Sequence, residues 1–460
     1  MDRMRNLGVV LAVLGLSFAA AAQQQPPPPP PEGMAPPPRA QVGPQRRVVT
    51  LREALQLTAK QGPDVAAARA QAAIVQAGVK RAWTTWQPDV LVTGQFDHTS
   101  APSSIPAGAF GNDPVTGQPS PEITLVAPNS KYGTFLINQP FFSPQGLFLP
   151  GIANANAEAA DRGADESREQ ILLSTSRTYL ALQGLEGLLE AAREAEKVAL
   201  RREQDARARI AAGTEVEIAL LRAQTETAGA RVQIANREGQ KQTLLPLLEA
   251  LVGEAVEPQP ARVFELPPMG QETEQPWENA YSVKSAIAFA NAAQKSVKYD
   301  QFLWLPSVSG AFRENYNSNG GFAEKNWTYD LLLNIAIPLY DHGARYAQLA
   351  EDRARLAEAQ AQLAASRARS RAAWLAARAN LVATTAVVQQ TESQAQLAAR
   401  TQVQVEASYR AGISTNLDLT AADQTKFEAQ SSVAQARAEL EIRKAELAAS
   451  EGRLYQLSQQ

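Results

Sequence analysis

The chain has 460 residues, 45% of them hydrophobic, with a formal net charge of −3 and no cysteine. That length allows more than one domain. The near-neutral balance gives no footprint for nucleic acid, and the lack of thiols excludes disulfides and a lipid-modified N-terminal cysteine.

Residues 1–22 carry Arg3 and Arg5, an apolar run from Leu7 to Phe18, and the small residues Ala19–Ala22 before Gln23. This is the layout of a cleaved secretory signal, too short in its apolar part to anchor comfortably. Residues 23–47, with six consecutive prolines at Pro26–Pro31, read as a polyproline-II-prone tether that cannot build a core. No other segment is long and apolar enough to span a bilayer as a helix, so membrane contact has to come from strands.

The remainder reads as one unit written twice, over 48–266 and 277–457. Each copy opens with a helical stretch that ends near a proline, Pro88 or Pro306, and continues with alternation: Val90, Val92, Gly94 and Phe96 in one, Val308, Gly310 and Phe312 in the other. A second alternating run follows in each and ends at Pro140 or Pro338. Strands are therefore expected at about 88–98, 131–139, 306–316 and 327–337. The clearest is the last, where Trp327, Tyr329, Leu331, Leu333, Ile335 and Ile337 alternate with Thr328, Asp330, Asn334 and Ala336. Alternation predicts that the first set faces lipid and the second a wet interior. The stretch between the first two strands, 101–130, and its shorter counterpart at 317–326 suit exterior loops.

Each copy then carries two long helical segments meeting at a glycine, Gly213 or Gly412, over about 150–251 and 343–457. The spacing of Leu349, Leu356 and Leu363, and of Val433, Leu440, Leu447 and Leu454, is the seven-residue repeat of coiled coils. At ~1.5 Å per residue the 343–411 segment alone is on the order of 100 Å long. The helices leave the strand ends and run away from them, so nothing in the chain covers the apolar strand face. Four strands cannot close a barrel, and open edges are not tolerated in hydrocarbon, so several chains must share one. Two chains would leave an interior just filled by side chains, whereas three leave a lumen.

The twofold repeat, the Pro338-Leu-Tyr-Asp-His-Gly343 entry to the long helix, the Tyr409-Arg-Ala-Gly412 hairpin tip and the Asn416-Leu-Asp-Leu-Thr-Ala-Ala-Asp-Gln-Thr425 opening of the last helix together resemble the TolC family of outer-membrane efflux proteins. The resemblance covers about Thr50 to Leu457. It implies a mainly α fold with a small transmembrane β part, assembled as a homotrimer with a twelve-stranded barrel and a helical tunnel through the periplasm. It further implies an inner end that opens when a periplasmic adaptor and an inner-membrane pump dock, and conduction of drugs, metals or polypeptides without catalysis, cofactor or bound metal. At the tip it assigns a gate to Asp418, Glu217, Tyr409 and Gly412, with Asp423 and Arg410 nearby. The chain departs from the family pattern there. Ala421 stands where a second acidic residue is common and Ser414 where a basic one is common, leaving Arg410 and Arg222 as nearby substitutes.

A competing reading is an exported coiled-coil stalk or adhesin, which accounts for the heptads and the export signal but not for four strands in matched phase. An enzyme fits poorly: His98 and His342 are the only histidines, and no nucleophile or phosphate-loop pattern stands where a pocket forms.

Overall fold

The computed structural model describes residues 46–260, 275–320 and 325–459. The export signal and residues 23–45 of the expected tether lie outside them. Arg46 and Arg47, placed in the tether on sequence, belong to the fold instead: Arg46 binds Glu249 at 2.6 Å and Arg47 starts a strand.

The elements follow in order as β1 (Arg47–Val49), α1 (Leu51–Gln61), α2 (Pro63–Trp83), β2 (Asp89–His98), β3 (Ser103–Ile105), β4 (Ile123–Val126), β5 (Asn129–Phe142), α3 (Pro144–Ala211) and α4 (Glu217–Val252), then β6 (Val256–Pro258), α5 (Tyr281–Asp300), β7 (Ser307–Asn317), β8 (Trp327–Ala336), α6 (Ala344–Arg410), α7 (Asn416–Ser450) and α8 (Leu454–Gln459). The fold is mainly helical, with two long hairpins, α3–α4 and α6–α7, and an antiparallel sheet ordered β2-β5-β7-β8. Each repeat contributes one β-hairpin, and the two meet at β5–β7. Among the described residues its outer strands β2 and β8 have no further partner.

Three features differ from the sequence reading. The strand expected to stop at Pro140 runs on to Phe142, with its pairing to β7 irregular between Pro140 and Phe142. Proline has no N–H for the ladder, so the irregularity falls where the bond is missing. The 101–130 loop carries its own small hairpin, β3–β4. Finally, the last long helix, expected to reach Leu457, stops at Ser450. Gly452 sits at φ +67°, and a Cβ on it would lie 2.5 Å from the carbonyl oxygen of Asn279. The close approach turns the chain and carries Leu454, the fourth residue of the heptad stripe, into a separate helix.

The largest core lies partway along α3. There Leu172, Tyr179 and Leu180 pack with Val49 of β1, Leu55 of α1, Leu248 and Val252 of α4, Val256 of β6 and Leu454 of α8. The Tyr179 hydroxyl donates to the Val49 carbonyl at 2.9 Å. The parallel β1–β6 pair thus ties the start of the fold to the end of the first hairpin. Away from this core the long helices meet through alanines, among them Ala192, Ala199, Ala206, Ala219, Ala223 and Ala429, all buried. Small side chains let the rods lie close, and a continuous helix needs no other support along its length than a partner stripe.

Candidate functional site: a two-faced sheet and two hairpin tips

Residues paired across antiparallel strands share a face. The register places Val90, Val92, Gly94 and Phe96 of β2 beside Ile137, Phe135, Gly133 and Lys131 of β5. It sets Ile137 and Phe135 beside Phe312 and Glu314 of β7, and Phe312, Gly310 and Val308 beside Leu331, Leu333 and Ile335 of β8. One face therefore gathers nearly all the large apolar residues of the sheet. On it, Trp327, Tyr329, Leu331, Leu333 and Ile335 are all exposed in the single chain, as is Ile337 just beyond the strand, and Leu331 reaches 77%. Rings form a cross-strand ladder, Phe135 to Phe312 at 6.3 Å, Phe312 to Tyr329 at 6.4 Å and Tyr316 to Trp327 at 4.9 Å. Glu314 is the one acid among them, a single pair inward from Tyr316 and Trp327 at the loop end.

The opposite face carries Thr93, Gln95, Asp97, Thr134, Asn138, Arg313, Asn315, Thr328, Asp330 and Asn334. Thr134 donates to Asn315 at 3.2 Å, and Asn315 reaches Asp330 at 3.5 Å. Leu91, Leu136 and Leu332 interrupt it, so the polar face is less uniform than alternation alone suggests. Among the described residues no helix is long and apolar enough to cross a membrane.

At the far end of the rods, the two hairpin tips are built differently. Gly213 and Gly412 adopt φ +71° and +75°, left-handed values that let each long helix close without a Cβ clash. The first tip enters α4 with Val216 at the N-cap and no side-chain cap, and Glu217 is exposed in its first turn. The second has a full capping box. Thr415 accepts from the Asp418 N–H at 3.2 Å, and Asp418 accepts from the Thr415 N–H at 2.8 Å and its hydroxyl at 2.7 Å. The Thr415 hydroxyl and N–H hold the exposed Asp418 carboxyl below its ordinary range. Glu217 is thus the first residue of its helix whereas Asp418 is the third, so the two are not equivalent.

The other residues singled out at the tip are not all free. Tyr409, half-buried, has Arg209 of α3 over its ring at 5.1 Å, and among the described residues it shares no hydrogen bond with Glu217. Arg410 pairs with Glu406 one turn back on its own helix. Arg222, Ala421 and Gly412 are exposed, and Ser414 is half-buried. Asp423 does not line the tip. It is ion-paired with Arg202 of α3, with only 17% of its side chain exposed.

Arg202 escaped the sequence reading, and it organises this region. It lies 3.6 Å from Glu226 of α4 and donates to the Leu419 carbonyl of α7 at 3.3 Å, while Thr420 of α7 donates to Glu226 at 2.8 Å. One guanidinium thereby joins both helices of the first hairpin to the second. Burial pulls Arg202 below the ordinary arginine value, opposed by the charges of Glu226 and Glu406. A five-donor fork suits such a junction where a lysine would not. No sequence signal marked it, because Arg202 lies in a run of charged residues indistinguishable from a solvated helix face.

A sheet apolar on one face and polar on the other, set at the end of long paired rods, is the build of a membrane channel with a helical extension. The family described as outer membrane efflux protein matches residues 54–254 and 274–453, and the chain belongs to it. Solved structures share the fold at low identity. The outer membrane protein VceC from Vibrio cholerae is 18% identical, with 87% of this chain and 96% of that one covered and a TM-score of 0.69. The Campylobacter jejuni CmeC outer membrane channel is 14% identical, with 88% and 85% covered and a TM-score of 0.71. The open state of the Neisseria gonorrhoeae MtrE outer membrane channel gives 13%, 87% and 88%, and 0.66. No curated protein matched on sequence.

Proposed function

We propose that three copies of this chain close a twelve-stranded barrel in the outer membrane and that their hairpins form a periplasmic tunnel, a passive outlet for small molecules or polypeptides delivered by an inner-membrane pump through a periplasmic adaptor. The observation that carries this reading is the sheet itself: four strands with one apolar face and two unpaired edges, β2 and β8. In hydrocarbon each open edge leaves a row of unsatisfied backbone groups, and only joining β8 of one chain to β2 of the next removes it. Three chains supply a circumference wide enough for a lumen, which the Thr328, Asp330 and Asn334 face would line. An exported stalk or adhesin has no use for such a sheet.

At the opposite end, Gly412 and Asp418 from three copies converge, and Asp418 forms an acidic ring at the narrowest point. The capping box favours the ionised carboxylate, while the like charges of its two neighbours in the ring oppose it. With Ala421 in place of a second acid, the ring is single and its preference for cations is modest. The assembly is tested by native mass measurement of the detergent-extracted protein: a trimer is expected, and a monodisperse monomer would overturn the reading. The ring is tested in planar bilayers, where Asp418→Asn is expected to weaken cation preference and block by multivalent cations.

A further inference from the structure

The duplication supplies an internal control at the foot of the sheet. In each repeat a tryptophan stands two residues before the proline that leads into the strand, Trp86-Gln-Pro88 and Trp304-Leu-Pro306. Both tryptophans seat on the start of the long helix. Trp86 donates to the Gly146 carbonyl at 2.6 Å, and Trp304 packs on Tyr346 at 5.3 Å with Arg345 4.0 Å over its ring. Counting back from each tryptophan, Ala82 at the end of α2 corresponds to Asp300 at the end of α5. Ala82 is buried, as expected at a tight helix contact. Asp300 is buried too, at 3% exposure, and faces a second buried acid, Asp352 of α6, at 6%. The first repeat has no charged residue from Ser143 to Ala157, the stretch of α3 that answers to the start of α6.

Two buried carboxylates are costly together unless something lies between them. Among the described residues the cation ion-paired with either acid is Arg355. Arg355 reaches Asp352 at 3.1 Å, while the buried Oδ2 of Asp300 has no donor. Arg345 binds Asp341 at 2.8 Å and the Pro338 carbonyl at 3.1 Å, while its buried Nη2 has no partner. On α5 itself the neighbours are Tyr299, whose own titration is pushed up partly by Asp300, and the exposed Lys298. From α3 comes Phe148, stacked on Phe302 at 4.5 Å and beside Tyr299 at 6.1 Å, and no charge. Burial, followed by Asp352, raises the Asp300 carboxyl to about 6.

We propose that Asp300 donates its carboxyl proton to Asp352, which pairs with Arg355, and that this shared proton makes the α5–α6 contact an acid-strengthened clasp between the tunnel wall and the sheet. The sign follows from the direction of the shift. A carboxyl whose folded value lies above its unfolded one stabilises the fold least when ionised, so the clasp is tight in mildly acidic surroundings and slackens as pH rises through the folded value. The first repeat, with Ala82 at the same place, has no such response, so the barrel is held to the tunnel by one pH-independent and one pH-dependent joint per chain.

The test uses the full chain in detergent. Infrared difference spectra between pH 5 and pH 8 should show a protonated carboxyl signal lost at the higher pH, and both Asp300→Asn and Asp352→Asn should reduce it, leaving the share of Glu169. Thermal unfolding of the parent protein should fall by several degrees over the same range. Asp300→Ala, which copies the alanine of the first repeat, should flatten that fall by raising Tm at pH 8 relative to the parent. Comparing variants at each pH separates this group from Glu169, the other buried carboxyl with a raised value. A fall with pH in Asp300→Ala parallel to the parent's, or a carboxyl signal undiminished in Asp300→Asn, would overturn the proposal. So would a parent Tm at pH 8 restored by millimolar calcium and not by calcium in Asp300→Ala, which would put a cation where the proton is proposed.

Discussion

The sheet and the hairpin tips sit at opposite ends of the same helices and store their specificity in different ways. In the sheet, meaning is periodic. Every second residue of β8 faces one side, and the partner strands repeat the phase, so a single residue says which surface it serves. At the tips, meaning is constellational. Arg202, Glu226, Thr420 and Asp423 come from three helices, and none is informative until the helices are packed. A periodic surface tolerates exchange within its class, whereas a constellation fails when one member is removed.

The widest separation between the two regimes should appear in the sheet. Leu333→Lys puts a charge on the apolar face near mid-strand and should cost ~2–4 kcal/mol in a bilayer. Asn334→Lys, one residue on and on the opposite face, should be far milder. Equal loss of folded, membrane-inserted protein from both would break the assigned phase. Next in size comes Arg202→Ala, which leaves Asp423 and Glu226 half-buried without their cation and should cost on the order of 1–3 kcal/mol. Because Arg202 joins the two hairpins, the same variant should raise proteolytic cutting between Glu217 and Arg231. Protection equal to the parent's there would mean that the junction does not hold the hairpins together.

No change in closed-state conductance is expected from Tyr409→Phe combined with Glu217→Gln. The ring stays over Arg209, and within one chain no hydrogen bond between the two residues is lost. Conductance of the closed state should stay as it was, and a rise would place a Tyr409–Glu217 bond between neighbouring chains.

A pH-dependent effect is expected at Glu169 of α3. It accepts from the Leu454 and Tyr455 N–H groups at 2.9 and 3.2 Å and so caps α8, yet burial pushes it up to about 7. Its raised value means that its contribution declines as pH climbs from about 4.5 toward 7 and then levels. Glu169→Gln should shrink the loss of Tm over that interval and leave one acceptor for α8. An unchanged pH profile would show that the group does not titrate there.

Legibility from sequence followed the same division. The four strands, their common phase and the long hairpins were readable, because alternation and heptad spacing act over many residues and do not depend on what lies opposite. The overrun of β5 past Pro140 and the break at Gly452 were not. Both depend on partners, β7 in one case and the Asn279 carbonyl in the other, that are distant in sequence. Asp423 shows the cost of reading a constellation along the chain. On sequence it stood near the tip, two residues past the position where a second acid is common, whereas the turn of the helix points it at Arg202.

The two open edges also bear on how the protein comes into being. A chain that has folded its rods but found no neighbours exposes β2 and β8, ten residues each, beside a face of bare aromatic and aliphatic side chains. Such a species is open to polymerisation, since each new chain that adds to one edge presents an identical edge in turn. Only ring closure ends the series. For the proposed trimer, the yield of finished channel should accordingly depend on a race between a closing step, whose rate is fixed once three chains have met, and further addition, whose rate grows with the amount of unassembled chain. Slow, dilute synthesis favours the ring.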